Sequence, residues 1–397
     1  MLAAARASAK AASKAAASPL IRAAASINAA LQLARDQQAT APLAQGLALS
    51  AELWLYRGEV RRALDEAEEC GRLADPLPEA EVSSWSRLLV GRCHALLGDR
   101  VQAAEALGRC VTQGVTGMGR EHAAIAQGYL GRLYADAGRL DEAIRCVSQE
   151  VAFLRARQRR DASIGALHRL VVLKVRAGAL AEAEALAEEA QELATSVALP
   201  HVAAIAAMAR AELLLACGDF DGANTLLKGY PAAGEEDAPV ELRTSWRALR
   251  VEVRLGMADH NAALAACNQI VQEATRVGWS AMRAYHAGLI AVLRAHAEPL
   301  AEALDALLVV GDRRSNARLL LAAARISGDA AALDAALAEA RAAGDRLLLL
   351  DALHACGGAA QQAEAGALVM GLFAGADRGL AERLRRRDAV RWAIGAR

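Results

Sequence analysis

Cys93-His94 and His354-Ala-Cys356 are the close pairings of thiol and imidazole in this chain. Such a pair could supply two ligands of a zinc ion, or a nucleophile beside its base. Adjacent residues on a helix point about 100° apart, and four convergent ligands are missing, so no metal site is expected. Gly117-Met-Gly119 opens like a dinucleotide loop, but His122 stands where the third glycine is needed and no strand precedes it. Glu68 with Glu69 and Glu182 with Glu184 pair carboxylates as acid-base catalysis would, yet they lie in alanine-rich helical stretches that read as solvated faces. The sequence contains no Gly-x-x-x-x-Gly-Lys phosphate loop, Gly-x-Ser-x-Gly elbow or His-Glu-x-x-His pair. The expectation is a protein without catalysis, cofactor or metal; an α-helical enzyme built from scattered residues is the third-ranked alternative.

What positions these residues is a repeat. Gly58, Gly98, Gly138, Gly178 and Gly218 fall 40 residues apart, and each is followed five residues later by alanine, at Ala63, Ala103, Ala143, Ala183 and Ala223. Degenerate anchors extend the phase: Ser18 with Ala23, Ala258 with Ala263, Glu298 with Ala303. A period of this length is the signature of a solenoid. Seven residues before the anchors lie Ala51, Gly91, Gly131, Val171, Ala211, Val251 and Ala291, all small or β-branched, as close helix crossings require. Each unit reads as helix A, a turn at the anchor, then helix B.

The prolines agree, because a ring without an N–H is tolerated at a helix start and excluded from its interior. Pro19 and Pro299 are expected as first residues of B helices, and Pro42, Pro76, Pro78, Pro200, Pro231 and Pro239 in connections. Asp99, Asp219 and Asp329 follow turn glycines and suit helix N-caps. After Glu298 the turns Gly328 and Gly358 are only 30 residues apart. Residues 1–310 are therefore assigned to the long repeats, 311–376 to two shorter hairpins, and 377–397 to a C-terminal cap. The cap's helix, over 377–393, should bury Leu380, Leu384 and Val390 while Arg383, Arg385, Arg386, Arg387 and Arg391 stay solvated. The fold class is all-α, a right-handed α-α superhelix.

The unit Tyr129-Leu-Gly-Arg-Leu-Tyr-Ala-Asp-Ala-Gly-Arg-Leu-Asp-Glu-Ala143 resembles a tetratricopeptide repeat, with the family's small residue in helix A, glycine at the turn and alanine early in helix B. The 40-residue form is similar to the repeats of MalT-type regulators and multidomain bacterial signalling proteins, over roughly residues 18 to 310. Glu150 and Tyr230 depart from the family, filling a column that is usually small. The resemblance implies a concave groove lined by A helices. Carried onto this chain, its register directs Trp85, Arg92, Tyr129, Arg132, His168, Arg169 and Arg176 into that groove, with Glu52, Glu212 and Glu252 flanking them. Guanidinium binds carboxylate bidentately and flat rings give area at low entropic cost. Trp85, Arg92, Tyr129, Arg132, His168 and Arg169 are thus the candidate partner site.

Charge is balanced, 46 basic against 46 acidic residues, but both ends are basic and the interior is net acidic. That body does not invite nucleic-acid backbones. The arginine run near the end reads as a solvated helix face rather than a nucleic-acid or membrane patch. The seven cysteines are odd in number, sit mostly at apolar columns and form no Cys-x-x-Cys, as buried thiols do in a reducing cytoplasm. No apolar run approaches the roughly 20 residues of a membrane span. The acid-free segment from Met1 to Ala17 shares its composition with a transit peptide, although the reading preferred here is a basic first helix. Together these readings lead to a cytoplasmic scaffold that holds a protein or peptide segment in its groove. The alternative, implied by the resemblance to MalT-type regulators, is a sensor whose groove takes a small-molecule effector and which acts on a partner in trans.

Overall fold

Each anchor glycine ends a helix in a conformation that other residues rarely adopt. Gly58, Gly98, Gly138, Gly178 and Gly218 all have positive φ, between 73° and 92°. At Gly58 the glycine N–H donates to the Leu55 carbonyl and the Glu59 N–H to that of Trp54, the Schellman closure of a helix end. The structure is a computed structural model that describes residues 19–77, 80–197, 199–230 and 238–395.

Among the described residues all regular structure is helical. The helices are α1 (Pro19–Asp36), α2 (Thr40–Arg57), α3 (Val60–Ala74), α4 (Ala80–Leu97), α5 (Arg100–Gln113), α6 (Gly119–Asp136) and α7 (Leu140–Ala156). There follow α8 (Arg160–Arg176), α9 (Leu180–Val197), α10 (Pro200–Ala216), α11 (Phe220–Lys228), α12 (Val240–Gly256), α13 (His260–Val277) and α14 (Ser280–Arg294). The last are α15 (Ala297–Val310), α16 (Arg313–Ser327), α17 (Ala330–Ala342), α18 (Arg346–Cys356), α19 (Ala359–Leu372), α20 (Arg378–Leu384) and α21 (Asp388–Ala393). Even-numbered helices from α2 to α18 pack antiparallel on the odd-numbered helix that follows, and successive hairpins stack into an α-α superhelix.

The alanine column is the floor of that stacking. Ala63, Ala103, Ala143, Ala183, Ala223 and Ala263 are fully buried and Ala303 nearly so, whereas Ala23 is exposed. A Cβ on Gly131 would lie 2.8 Å from Val147 and 3.0 Å from the Ala143 carbonyl, so the crossing of α6 on α7 admits only hydrogen there.

Several boundaries differ from the sequence reading. Pro42 lies in the first turn of α2 rather than in a connection, and Pro299 is the third residue of α15, where a missing N–H is equally harmless. The turn before α15 is made by Ala295, at φ 57°, and not by Glu298. Asp219 and Asp329 cap their helices, while Asp99 stands at the N-cap of α5 with its carboxylate 3.3 Å from His94 instead. Ser18, Pro78 and Pro231 lie outside the described residues. The expected closing helix is broken at Arg385–Arg387 into α20 and α21; Leu380, Leu384 and Val390 are buried as expected. Arg383 and Arg387 are not solvated, because Arg383 pairs with Glu184, and Arg387 with Asp351 and the Ala216 carbonyl.

Those last contacts reflect the winding. The superhelix turns tightly enough that its second turn docks on its first: α12 lies against α2, α14 against α4, and α18 against α8. Arg100 Nη1 donates to the carbonyls of Val310 at 3.3 Å and Gly311 at 3.1 Å, and Ser280 Oγ donates to that of Leu97 at 2.6 Å. The anchor glycines line this seam. A Cβ on Gly138 would lie 2.2 Å from the Ala342 carbonyl oxygen. Apolar cores also cross it: Val240, Val277 and Trp279 are buried with Leu47 and Leu89, and Leu350, Val369 and Val390 with Val171 and Leu180.

Candidate binding groove

The inner wall is built from the A helices α2, α4, α6, α8, α10 and α12, and the second turn adds α14, α16 and the start of α18. Because helix A presents the same face in each hairpin, residues one period apart form columns along the wall. One such column reads Glu52, Arg92, Arg132, Val172, Glu212, Glu252.

Arg92, Tyr129 and Arg169 are brought together. The Arg92 guanidinium lies 5.3 Å from the Tyr129 ring centre and that of Arg169 lies 5.8 Å from it, so two cations flank one ring. Across the groove Glu241, in the first turn of α12, accepts from Arg92 Nη2 at 3.5 Å and from the Tyr129 hydroxyl at 3.5 Å. Glu52 lies 3.9 Å from Arg92 on the neighbouring helix. Arg132 sits 5.3 Å over the Trp279 ring. No carboxylate comes within ion-pair distance of Arg132 among the described residues.

Glu150 explains its own departure from the repeat pattern. It projects from α7, fully buried, and pairs with Arg169 of α8. A Cβ on Gly128 of α6 would lie 2.0 Å from a Glu150 oxygen, so the glutamate occupies space that a side chain on α6 would need. Burial raises the Glu150 carboxyl above its ordinary range although Arg169 opposes it. His168 is pushed down to about 4 by burial and by Arg169, and is therefore neutral near pH 7. The other departure ends differently: α11 stops at Lys228, and Tyr230 packs against the core around Trp246.

Trp85 is not part of this cluster. It lies seven residues before Arg92 on α4, about 10 Å along the helix, and its ring stacks on His122 with centres 5.7 Å apart.

Further round the wall is a second polar group that the sequence reading largely missed. Asp345 is buried at the N-cap of α18, accepting from the Leu347 and Leu348 N–H groups, and takes Arg314 Nε at 2.8 Å and Arg176 Nε at 3.7 Å. Burial would raise the Asp345 carboxyl, but Arg314 and Arg176 outweigh it and hold it low. Glu252 accepts from the Tyr285 hydroxyl at 3.1 Å and pairs with Arg318. Glu212 has no hydrogen bond or ion pair among the described residues, and burial raises its carboxyl despite Arg314 and Arg318. Asp136 is pushed up to about 6 by burial and by Asp312, against Arg132, Arg176 and Arg100. Arg314 and Arg318, one turn apart on α16, were legible as a same-face pair; nothing in the 40-residue period pointed them at Glu212 and Glu252.

The paired motifs of thiol and imidazole lie within the helix packing. Cys93 is buried, which pushes its thiol up to about 12 and leaves it protonated. His354 packs 5.3 Å from the Trp392 ring. No group of three or more ligand-type residues able to hold a metal ion occurs among the described residues. A polar cleft on the outer seam, lined by Arg61, Asp65, Asp99 and Arg283, contains none of the groove residues.

The fold is similar to that of a solved structure. A Rap protein, whose crystal structure was determined in complex with competence and sporulation factor, superposes with a TM-score of 0.59 over 89% of this chain and 99% of its own, at 11% identity. At that identity the likeness is one of fold. No family model matches the chain, and no curated protein matches it. No helix among the described residues is long and apolar enough to cross a membrane.

Proposed function

We propose that this protein is a non-catalytic regulatory scaffold that holds an extended, charged peptide or protein segment inside its superhelix. The observation that carries the reading is the cluster of Arg92, Tyr129, Arg169 and Glu241, several of whose buried polar atoms are unsatisfied. Arg92 Nε, Arg169 Nε, Glu150 Oε2, His168 Nε2 and Glu241 Oε1 are all buried and lack a hydrogen-bond partner among the described residues. Folded proteins pair such atoms almost without exception, and a polar chain threaded between the two turns supplies both donors and acceptors. The Rap structure supports the reading at the level of fold, since that protein was solved with a bound factor.

A second reading, a sensor for a small effector, draws on the seam. The turns meet through polar contacts such as Arg100 to Gly311 and Ser280 to Leu97, so an occupant touching both turns biases how tightly the superhelix is wound. Any output then passes to a partner in trans.

The test is selection of random decapeptides on the purified chain, followed by calorimetry on the enriched sequences. Val172 stands on the inner wall between Arg132 and Glu212, and Val172→Trp obstructs that stretch without altering charge. Binding by the wild type and its loss in Val172→Trp is the expected result. Enriched peptides that bind both proteins equally would place the site outside the groove.

A further inference from the structure

The column Glu52, Arg92, Arg132, Val172, Glu212, Glu252 is not uniformly neutralised. Arg92 meets Glu52 and Glu241, and Glu252 meets Arg318. Arg132 and Glu212 are the two charged members with no ion pair among the described residues, and they flank Val172 on either side. Arg132 feels Asp136 one turn further along α6, and Glu212 feels Arg314 and Arg318, but neither closes to an ion pair with them among the described residues. Arg132 has an aromatic face, Trp279, beneath its guanidinium. Arg314 and Arg318, the cations nearest Glu212, are already bonded to Asp345 and Glu252.

We propose that Arg132 and Glu212 are the two poles of a specificity ruler, so that the groove selects an extended peptide carrying a carboxylate and, roughly five residues away, a lysine or arginine. The proposal rests on the groove reading above. The spacing follows from the architecture. Packed helices lie about 8–10 Å apart, so the two steps from α6 through α8 to α10 cover roughly 16–20 Å. An extended chain advances about 3.3–3.6 Å per residue. α6 and α8 touch less closely than α8 and α10 do, which favours the longer end of that range. The ligand carboxylate gains a bidentate guanidinium partner, and the ligand cation gains a carboxylate that forms no ion pair among the described residues. The carboxylate can come from an aspartate or glutamate side chain or from a peptide C-terminus; C-terminal amidation of the selected peptide separates the two.

Charge reversal is the experiment. Random decapeptides are selected by display on the wild-type chain and on the double variant Arg132→Glu with Glu212→Arg, with circular dichroism and melting curves recorded for both. The wild type is expected to enrich an acid and a base about five residues apart in one order, and the double variant the reverse order. For one selected peptide, each single reversal should weaken binding at least tenfold by fluorescence anisotropy. A charge-reversed peptide should recover to within a few-fold on the double variant. Arg132→Gln and Glu212→Gln, which remove charge without repulsion, keep the measurement interpretable should a reversal perturb folding. Peptides blocked by Val172→Trp but carrying no charge spacing, or the same order on both proteins, would overturn the ruler and leave the groove reading standing. Failure of either protein to enrich any peptide would remove both.

Discussion

Arg92 and Glu241 are 149 residues apart in the chain and 3.5 Å apart across the groove. The pair joins α4 in the first superhelical turn to α12 at the start of the second. Both side chains keep some solvent contact, so by itself the pair contributes at most about 1 kcal/mol, and the docking of the turns must rest on several such contacts plus Val240, Val277 and Trp279.

It follows that Glu241→Ala combined with Arg100→Ala should loosen the winding while leaving the helices intact. Small-angle scattering is expected to show a larger radius of gyration at unchanged ellipticity at 222 nm. A scattering curve identical to the wild type would mean that the apolar seam alone holds the turns.

Ala143 is fully buried beneath the α6–α7 crossing, with Gly131 opposite. Ala143→Leu should overpack this site and destabilise by roughly 1–3 kcal/mol. An unaltered melting temperature would contradict the register from which the groove column is read.

Gly138 and Gly328 separate two roles of a turn glycine. Both have positive φ, 81° and 67°, so alanine at either position carries the left-handed strain of about 1–2 kcal/mol. Only at Gly138 does the added Cβ meet the opposite turn, at the Ala342 carbonyl; nothing lies within 4 Å at Gly328. Gly138→Ala should therefore cost more than Gly328→Ala by about 1–3 kcal/mol in urea denaturation. Equal costs would show that the seam yields without resistance at this point.

Asp136 supplies a pH dependence whose sign can be worked out. Its folded pKa, about 6, lies above the unfolded value near 3.8, with burial the main cause. The folded state binds more protons between these values, so this group's contribution is fully present below the unfolded pKa and is lost as pH rises through 6. Asp136→Asn should raise stability at pH 7, by about 1 kcal/mol once partial exposure is allowed for, and flatten the wild-type decline between pH 4 and 6. Parallel stability-pH curves for the two proteins would refute this assignment.

At the C-terminal cap, neighbouring arginines should behave differently. Arg387 bonds Asp351 and the Ala216 carbonyl, fastening the break between α20 and α21 to α10. Arg386 is exposed. Arg387→Ala is expected to lower the melting temperature and Arg386→Glu to leave it unchanged. If the two variants melted alike, the cap would be held by Leu380, Leu384 and Val390 alone.

The local architecture was determined by sequence, because its causes are local. A glycine every 40 residues supplies the positive φ that ends helix A, and an alanine five residues later supplies the small surface on which helices cross. Neither needs a distant partner to act, so the hairpins and the inner column of Arg92, Arg132, Glu212 and Glu252 could be read in order. The winding of the superhelix could not be read this way. The small rotation between hairpins accumulates over five of them before the chain meets itself, and no repeat column encodes the sum. Only the tertiary structure therefore showed that Gly138 serves a seam as well as a turn, that Glu241 answers Arg92, and that Arg387 is fastened rather than solvated. The contrast within one column has the same origin: Arg92 and Glu252 are paired from the other turn or from a neighbouring helix, while Arg132 and Glu212 have no ion pair among the described residues.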